Sequence, residues 1–337
     1  MSESAISLAP WIVSQAQNLL AQRGHAWLLA GPSGLGQYDL AMTLVRAWLC
    51  DHPGPQGACC TCPSCHAIDV RTHADFFVLM PQTNMQALGW QLSDKPEEEK
   101  APDDTEGKKP KLSKEIKVES MREAVEFSQR TSARGRGKAV LVYPAERMNV
   151  YTANALLKTL EEPPGDVKFV LATDAAHLLL PTIRSRCLTH AMMWPDQSVA
   201  LAWLESRGMT LQQAQVMLRA AGGRPQDALQ FSGLSAVWPN LPRAVQNGDV
   251  SAFKDWTGAQ IVDALHKLCH DLQALRCGAL PRFFEQTDLP RAGSWKSLTG
   301  WGKTLAHIRR TVEHPYNAAL MQEALISQAQ WAMASKY

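Results

Sequence analysis

Five of the chain's eight cysteines fall between Cys50 and Cys65. Four of them, Cys50, Cys59, Cys62 and Cys65, follow the pattern C-x8-C-x2-C-x2-C, which lets a short loop close four thiolates tetrahedrally around one ion. Zinc is the expected occupant. An iron–sulfur cluster competes, but its usual run places a fourth cysteine soon after the third and follows it with proline, a pattern absent here. Structural zinc sites have apparent binding energies of roughly 10 to 16 kcal/mol, enough to hold an otherwise weak loop together. Cys60 is left as a spare thiol.

A second stretch, Gly31-Pro32-Ser33-Gly34-Leu35-Gly36-Gln37-Tyr38, has the glycine skeleton of a phosphate-binding loop. In the complete motif, glycine amides cradle the phosphates, a lysine neutralises the terminal ones, and a small hydroxyl residue binds magnesium. Here Gln37 stands at the lysine position and Tyr38 at the hydroxyl position. The acid that normally follows the neighbouring strand to hold magnesium is also missing, because Val140-Leu141-Val142 runs into Tyr143-Pro144-Ala145-Glu146, and only Glu146 survives. Glycines alone would suit any tight turn before a helix. Losing cation, metal ligand and acid together predicts a loop released from catalysis.

Two further groups carry chemistry only in context. Ser185-Arg186-Cys187 follows a strand and a turn, and an arginine there is by itself more often a surface ion-pair partner than anything catalytic. His266, Cys269 and His270 have ligand-like helical spacing, but no carboxylate or second cluster completes them, so they are expected on an ordinary helix surface.

The elements that must position these residues follow from pattern. Helix, the short apolar strand Ala26 to Ala30, a glycine turn and the helix Tyr38 to Leu49 form half of a βαβ unit. Further strands are expected at Phe76 to Met80, Ala139 to Tyr143 and Lys168 to Thr173, with helices at Val118 to Ser132 and Thr152 to Glu161. Short buried strands alternating with helices predict a mostly parallel α/β sheet over the first 190 or so residues. Beyond Trp194 helical periodicity takes over, and Ile261, Leu265, Leu268, Leu272 and Leu275 share one helix face. Pro239 and Pro242, beside Gly233 and Asn240, suggest a linker. Residues 94–115 hold eight acids, six lysines and three prolines, and are expected to be a disordered charged insertion.

Composition sets outer limits. A 45% apolar chain of 337 residues can build ordinary cores in two or three domains. The 34 basic and 32 acidic residues give a net charge of only +2, so nucleic-acid contact would have to be local. The start has an acid and no lysine or arginine before Arg23, unlike a signal peptide, and the apolar runs fall below the roughly 18 residues of a membrane helix. A cytoplasmic protein without a membrane partner is expected, which suits cysteines used for metal rather than disulfides.

The degenerate phosphate loop, the four-cysteine insertion, the run Ala153-Asn154-Ala155-Leu156-Leu157-Lys158-Thr159-Leu160-Glu161-Glu162-Pro163-Pro164 and Ser185-Arg186-Cys187 occur in one order within the first 190 residues. In that combination the chain resembles bacterial clamp-loader AAA+ subunits, and most of all the member that does not hydrolyse ATP. The resemblance implies an AAA+ domain at 1–193 with its zinc module at 50–65, a helical lid at 194–236 and an all-helical collar at 237–337. It implies a place at the replisome in a pentameric loader with gamma or tau and delta subunits, acting on the beta sliding clamp and primed DNA. It also implies structural zinc on Cys50, Cys59, Cys62 and Cys65, and Arg186 as an arginine finger offered to a neighbour's ATP. A guanidinium supplied in trans can contribute on the order of 10³ to 10⁵ in rate.

Departures from the hydrolytic pattern point the same way. The sensor position falls near Thr173 or Asp174, and the lid arginine is replaced by Gln226 in Gly223-Arg224-Pro225-Gln226-Asp227-Ala228-Leu229, where Arg224 is near enough to compensate. Two competing readings remain at this stage. One is an active loader ATPase with an unorthodox loop. The other is a zinc-dependent DNA-binding protein using the cysteine loop and the basic residues Arg130, Arg134, Arg136 and Lys138.

Overall fold

The computed structural model describes residues 8–91, 112–312, 314 and 316–335. Two compact units divide the chain, Met1–Trp194 and Pro195–Tyr337.

The first unit is built on five parallel strands: β1 (Ala26–Ala30), β2 (Phe76–Leu79), β3 (Lys138–Val142), β4 (Val167–Thr173) and β5 (Leu188–Ala191), in the spatial order β2-β3-β4-β1-β5. Helix α1 (Pro10–Leu20) precedes β1 and packs on α2 (Gln37–Leu49), and the crossovers that parallel strands need run through α2, α3 (Pro63–Asp69), α4 (Gln82–Ala87), α5 (Val118–Gln129), α6 (Val150–Glu161) and α7 (Pro181–Arg184). The central strands are apolar on both faces because helices cover both, so Leu28, Val140, Phe169 and Leu171 are fully buried. The register sets Ala30 beside Thr173 and Ala191, and Val142 beside Leu171. The loops after Ala30, Val142 and Thr173 therefore leave from the carboxyl edge of the sheet, where ligands of open α/β sheets bind.

Local chemistry sets several helix boundaries. Asn149 caps α6 by accepting from the Thr152 amide at 2.9 Å, and Pro163-Pro164 prevents further helix. Gly36 precedes α2 at φ 96°, a left-handed conformation that a side chain would strain. Gly31 is needed for a different reason: a Cβ there would lie 2.7 Å from the Cβ of Met192.

The second unit is helical among its described residues: α8 (Gln197–Ser206), α9 (Leu211–Ala220), α10 (Pro225–Gln230), α11 (Leu241–Asn247), α12 (Gly258–Arg276), α13 (Trp295–Thr311) and α14 (Ala318–Ala334). Ile261, Leu265, Leu268 and Leu272 of α12 are buried, as their spacing predicts. Thr257 and Gln260 form a reciprocal capping box at its start. The buried Asp271 carboxylate accepts from the amides of Arg282, Phe283 and Phe284 at 2.9, 2.8 and 2.9 Å, shaping the loop after α12.

Two expectations need adjustment, and a third falls largely outside the described residues. Pro239 and Pro242 sit in a 3₁₀ turn and at the start of α11, and Trp238, Leu241 and Pro242 are buried, so this stretch is packed structure rather than an open linker. The Cys269 side of the His266, Cys269, His270 trio is buried rather than on a surface, with Sγ donating to Leu298 O at 3.4 Å, whereas His270 is exposed beside Asp271. Of the charged segment 94–115, residues 94–111 lie outside the described residues. At its far end Ser113 is tied to α4, accepting from the Thr83 amide and donating its own amide to Gln82 Oε1 at 2.8 Å. No described helix is long and apolar enough to cross a membrane.

Candidate functional site

Strand β1 delivers the chain to the phosphate loop and α2 carries it away. Gln37, only 3% exposed, turns its side chain back into the loop, where Nε2 donates to Gly31 O at 2.8 Å, Pro32 O at 2.8 Å and Asp174 Oδ1 at 3.0 Å. The neutral amide thus occupies the carbonyls and carboxylate that surround the lysine position. Thr173, fully buried, donates to Glu146 Oε2 at 2.6 Å and accepts from the Ala175 amide, so Glu146 is engaged within the fold. The Trp11 indole donates to Leu35 O at 2.9 Å and fixes the loop from outside.

Tyr38 belongs to an aromatic group rather than a magnesium shell. Its ring lies 5.3 Å from that of Tyr143, and its hydroxyl accepts from Trp90 Nε1 at 2.9 Å. Burial raises the pKa of both phenols, so Tyr38 stays neutral.

The four cysteines meet at the end of α2. Cys50 caps that helix, Cys62 caps the start of α3, and Cys65 lies within α3. Their sulfurs all lie within 4.8 Å of one another, with Cys50 Sγ 3.5 Å from that of Cys59 and 3.8 Å from that of Cys62. Four thiolates bound to zinc at about 2.3 Å would stand about 3.8 Å apart, so this donor set fits a tetrahedral ion. Backbone amides point at two of the sulfurs, Cys59 N to Cys50 Sγ and Cys65 N to Cys62 Sγ, which favours thiolate. Burial raises the pKa of Cys50 and Cys65, while the Thr61 backbone lowers that of Cys59 to about 6. A bound cation would displace the protons that burial retains. Cys60, at φ 60°, is exposed and directs its thiol to Ala58 O.

The cysteine loop is stitched to its surroundings by residues that spacing alone does not single out. Asp51 accepts from the Ser64 hydroxyl at 2.6 Å, and Arg134 Nη1 donates to the same hydroxyl at 3.0 Å. Arg134 N and Ala133 N, with the Ser132 hydroxyl, donate to the fully buried Asp75, which also faces Lys138 Nζ at 3.5 Å. Burial works to raise the Asp75 pKa, but these donors outweigh it and hold it below the ordinary range. Lys138 lies 3.8 Å above the Phe127 ring, and Arg130 pairs with Glu126 at 2.6 Å. Three of the four basic residues of this loop are thereby engaged within the fold, which weakens its claim as a DNA-binding patch.

Arg186 follows α7. Its Nε donates to Glu161 Oε1 at 2.6 Å and Nη2 to the same oxygen, while Nη1 donates to Thr182 O at 2.8 Å and lies 3.3 Å from Ser185 Oγ. Burial raises the pKa of the neighbouring Cys187 to about 12, leaving an inert thiol. In the second unit Arg224 is committed to Asp227 at 2.6 Å.

The likeness to known proteins agrees with this arrangement. Residues 11–194 match a family model described as DNA polymerase III, delta subunit. The DNA polymerase III subunit delta' of Pseudomonas aeruginosa is 37% identical over 216 residues, covering 63% of this chain and 57% of its own, so the match spans little more than half of that relative. Its Escherichia coli counterpart is 30% identical over 283 residues, covering 77% of this chain and 76% of its own. Escherichia coli DNA polymerase III subunit tau is 27% identical over 257 residues, 74% of this chain and 33% of its own. The matched residues take in the sheet, the phosphate loop and the cysteine loop, and on that ground the chain belongs to the DNA polymerase III delta-prime family.

Proposed function

We propose that the chain is a non-hydrolysing subunit of a DNA polymerase III clamp loader, assembling with gamma or tau and delta subunits to place the beta sliding clamp on primed DNA. The observation that carries this reading is Gln37, whose amide is satisfied by Gly31 O, Pro32 O and Asp174, where a hydrolytic loop keeps a lysine for phosphate. Tyr38 in its aromatic group and Glu146 on Thr173 support it, since neither is disposed to hold magnesium. The loop Gly31, Gly34, Gly36 then serves as the strand-to-helix turn of the fold. Residues 194–236 would be the lid and 237–337 the collar through which subunits associate, in the cytoplasmic replisome.

Zinc on Cys50, Cys59, Cys62 and Cys65 would supply a cross-link and no reaction chemistry. The chemical contribution of the chain is Arg186, presented from the Ser185-Arg186-Cys187 turn as a finger for the ATP of a neighbouring gamma or tau subunit.

The test is a loader reconstituted from gamma or tau, delta and this chain, with clamp and primed DNA. The isolated chain should turn over no ATP. In the complex, Arg186→Ala should cost the site it serves on the order of 10³ in hydrolysis rate. Unchanged hydrolysis removes the finger role, and turnover by the isolated chain that is lost on substituting Gly36 establishes an active ATPase instead.

A further inference from the structure

Arg186 directs most of its guanidinium at its own chain. Nε and Nη2 both donate to Oε1 of Glu161, and Nη1 reaches Thr182 O and Ser185 Oγ. The edge taken by Glu161 is the one a guanidinium uses for two-point binding of a carboxylate or phosphate. Glu161 is the last residue of α6, and a helix carries partial negative charge at that end. A carboxylate there is disfavoured by its own helix and gains from a cation, and Arg186 provides one from 25 residues further along the chain.

A finger paired with a carboxylate has its charge largely cancelled, and so can do little for charge developing on a phosphoryl group. The terminal phosphate of ATP is the stronger competitor: it offers three oxygens and more charge than one carboxylate. Shortened by one phosphoryl group, a diphosphate offers the same finger only a weaker contact, too weak to draw it off Glu161. Both partners are partly exposed, Arg186 at 31% and Glu161 at 47%, so the contact is weak enough to exchange.

We propose that Glu161 is a positioning residue that parks Arg186 on its own chain and yields it to a neighbour's nucleotide only when a γ-phosphate is present. The proposal rests on the finger reading above and extends it from transition-state stabilisation to discrimination between ATP and ADP. Glu161 would bias the interface toward letting go after hydrolysis, because the parked state recovers the guanidinium once the γ-phosphate leaves.

The reconstituted loader tests this with E161Q, which keeps shape and removes charge, with E161A as a second variant, and with R186A and the double variant E161Q/R186A. The readouts are kcat, KM for ATP and the inhibition constant for ADP in clamp-stimulated hydrolysis. With Glu161 neutralised, ADP should inhibit about two- to five-fold more tightly, the range an exposed ion pair converts to. The double variant should show the ADP constant of R186A alone, since Glu161 acts only through Arg186. An ADP constant unchanged or weakened in both E161Q and E161A, or shifted equally without Arg186, overturns the parking role. A loss confined to kcat would mark Glu161 as merely structural and overturns it as well. R186A by itself decides the finger reading: if it leaves hydrolysis at the wild-type rate, both proposals fall, whereas a loss in R186A with a flat E161Q leaves the finger and removes only the parking.

Discussion

The phosphate loop and the cysteine loop stand at opposite ends of one helix and treat their polar groups in opposite ways. At the start of α2, Gln37 donates to two carbonyls and a carboxylate, and Glu146 accepts from Thr173, so these side chains are satisfied by their own chain. At its end, four sulfurs are turned toward one another at contact distances that suit a shared cation, with backbone amides directed at them. A pocket whose groups satisfy each other has little left for a ligand; a cluster of acidifiable donors held together against their own repulsion does.

The contrast breaks first, and hardest, at the cysteines. Stripping the metal with a chelator, or Cys65→Ser, should cost on the order of 10 kcal/mol of local stability, seen as a large fall in the melting temperature and loss of one metal ion per chain. Cys60→Ser should leave metal content unchanged. Because burial keeps protons on Cys50 and Cys65, metal affinity should weaken as pH falls, and binding should release protons measurable by calorimetry in buffers of different ionisation enthalpy.

Asp75→Asn comes next, at about 3–5 kcal/mol, because it leaves Lys138 buried beside a neutral group. The sign with pH follows from a folded pKa held below the unfolded one: the contribution of Asp75 is complete above pH about 4 and is lost as pH falls through its folded value. The gap in urea midpoint between wild type and variant should therefore narrow in acid. A gap that widens would mean that Asp75 is not ionised in the fold.

Gln37→Ala should cost about 1–3 kcal/mol by leaving Gly31 O and Pro32 O without their donor. Gln37→Lys should restore no ATP turnover, since Tyr38 and Glu146 remain engaged elsewhere. Recovery of turnover would show that the lysine alone had been lost. The smallest effect is expected at Arg136, the exposed member of the basic loop for which no partner occurs among the described residues. Arg136→Ala should change stability by less than about 0.5 kcal/mol, and a larger change would assign that residue a contact within the fold.

Much of the sheet was legible because buried parallel strands are continuous apolar runs. Ala26–Ala30 is placed to the residue, the expected Ala139 to Tyr143 is shifted from β3 by one residue at each end, and Lys168 to Thr173 differs from β4 by one residue at its start. Strand β5 escaped notice: Leu188-Thr189-His190-Ala191 is a short, largely exposed edge with no apolar run, and only pairing with β1 makes it a strand. Helix α3 was equally silent, since its cap is the sulfur of Cys62 rather than a hydroxyl or amide side chain. At the sites, spacing identified the four cysteines and the altered loop positions. It could not identify Glu161 or Asp75 as partners, because their contacts lie 25 and 57 to 59 residues away and exist only once the chain has folded.

Helix α2 joins these themes. Thirteen residues long, it spans about 20 Å, and it is gripped at its start by Gln37 and near its end by Cys50 and by the Arg46–Asp69 pair. Here both ends of the helix are tied into the fold, so the phosphate-loop turn and the cysteine cluster are held about 20 Å apart.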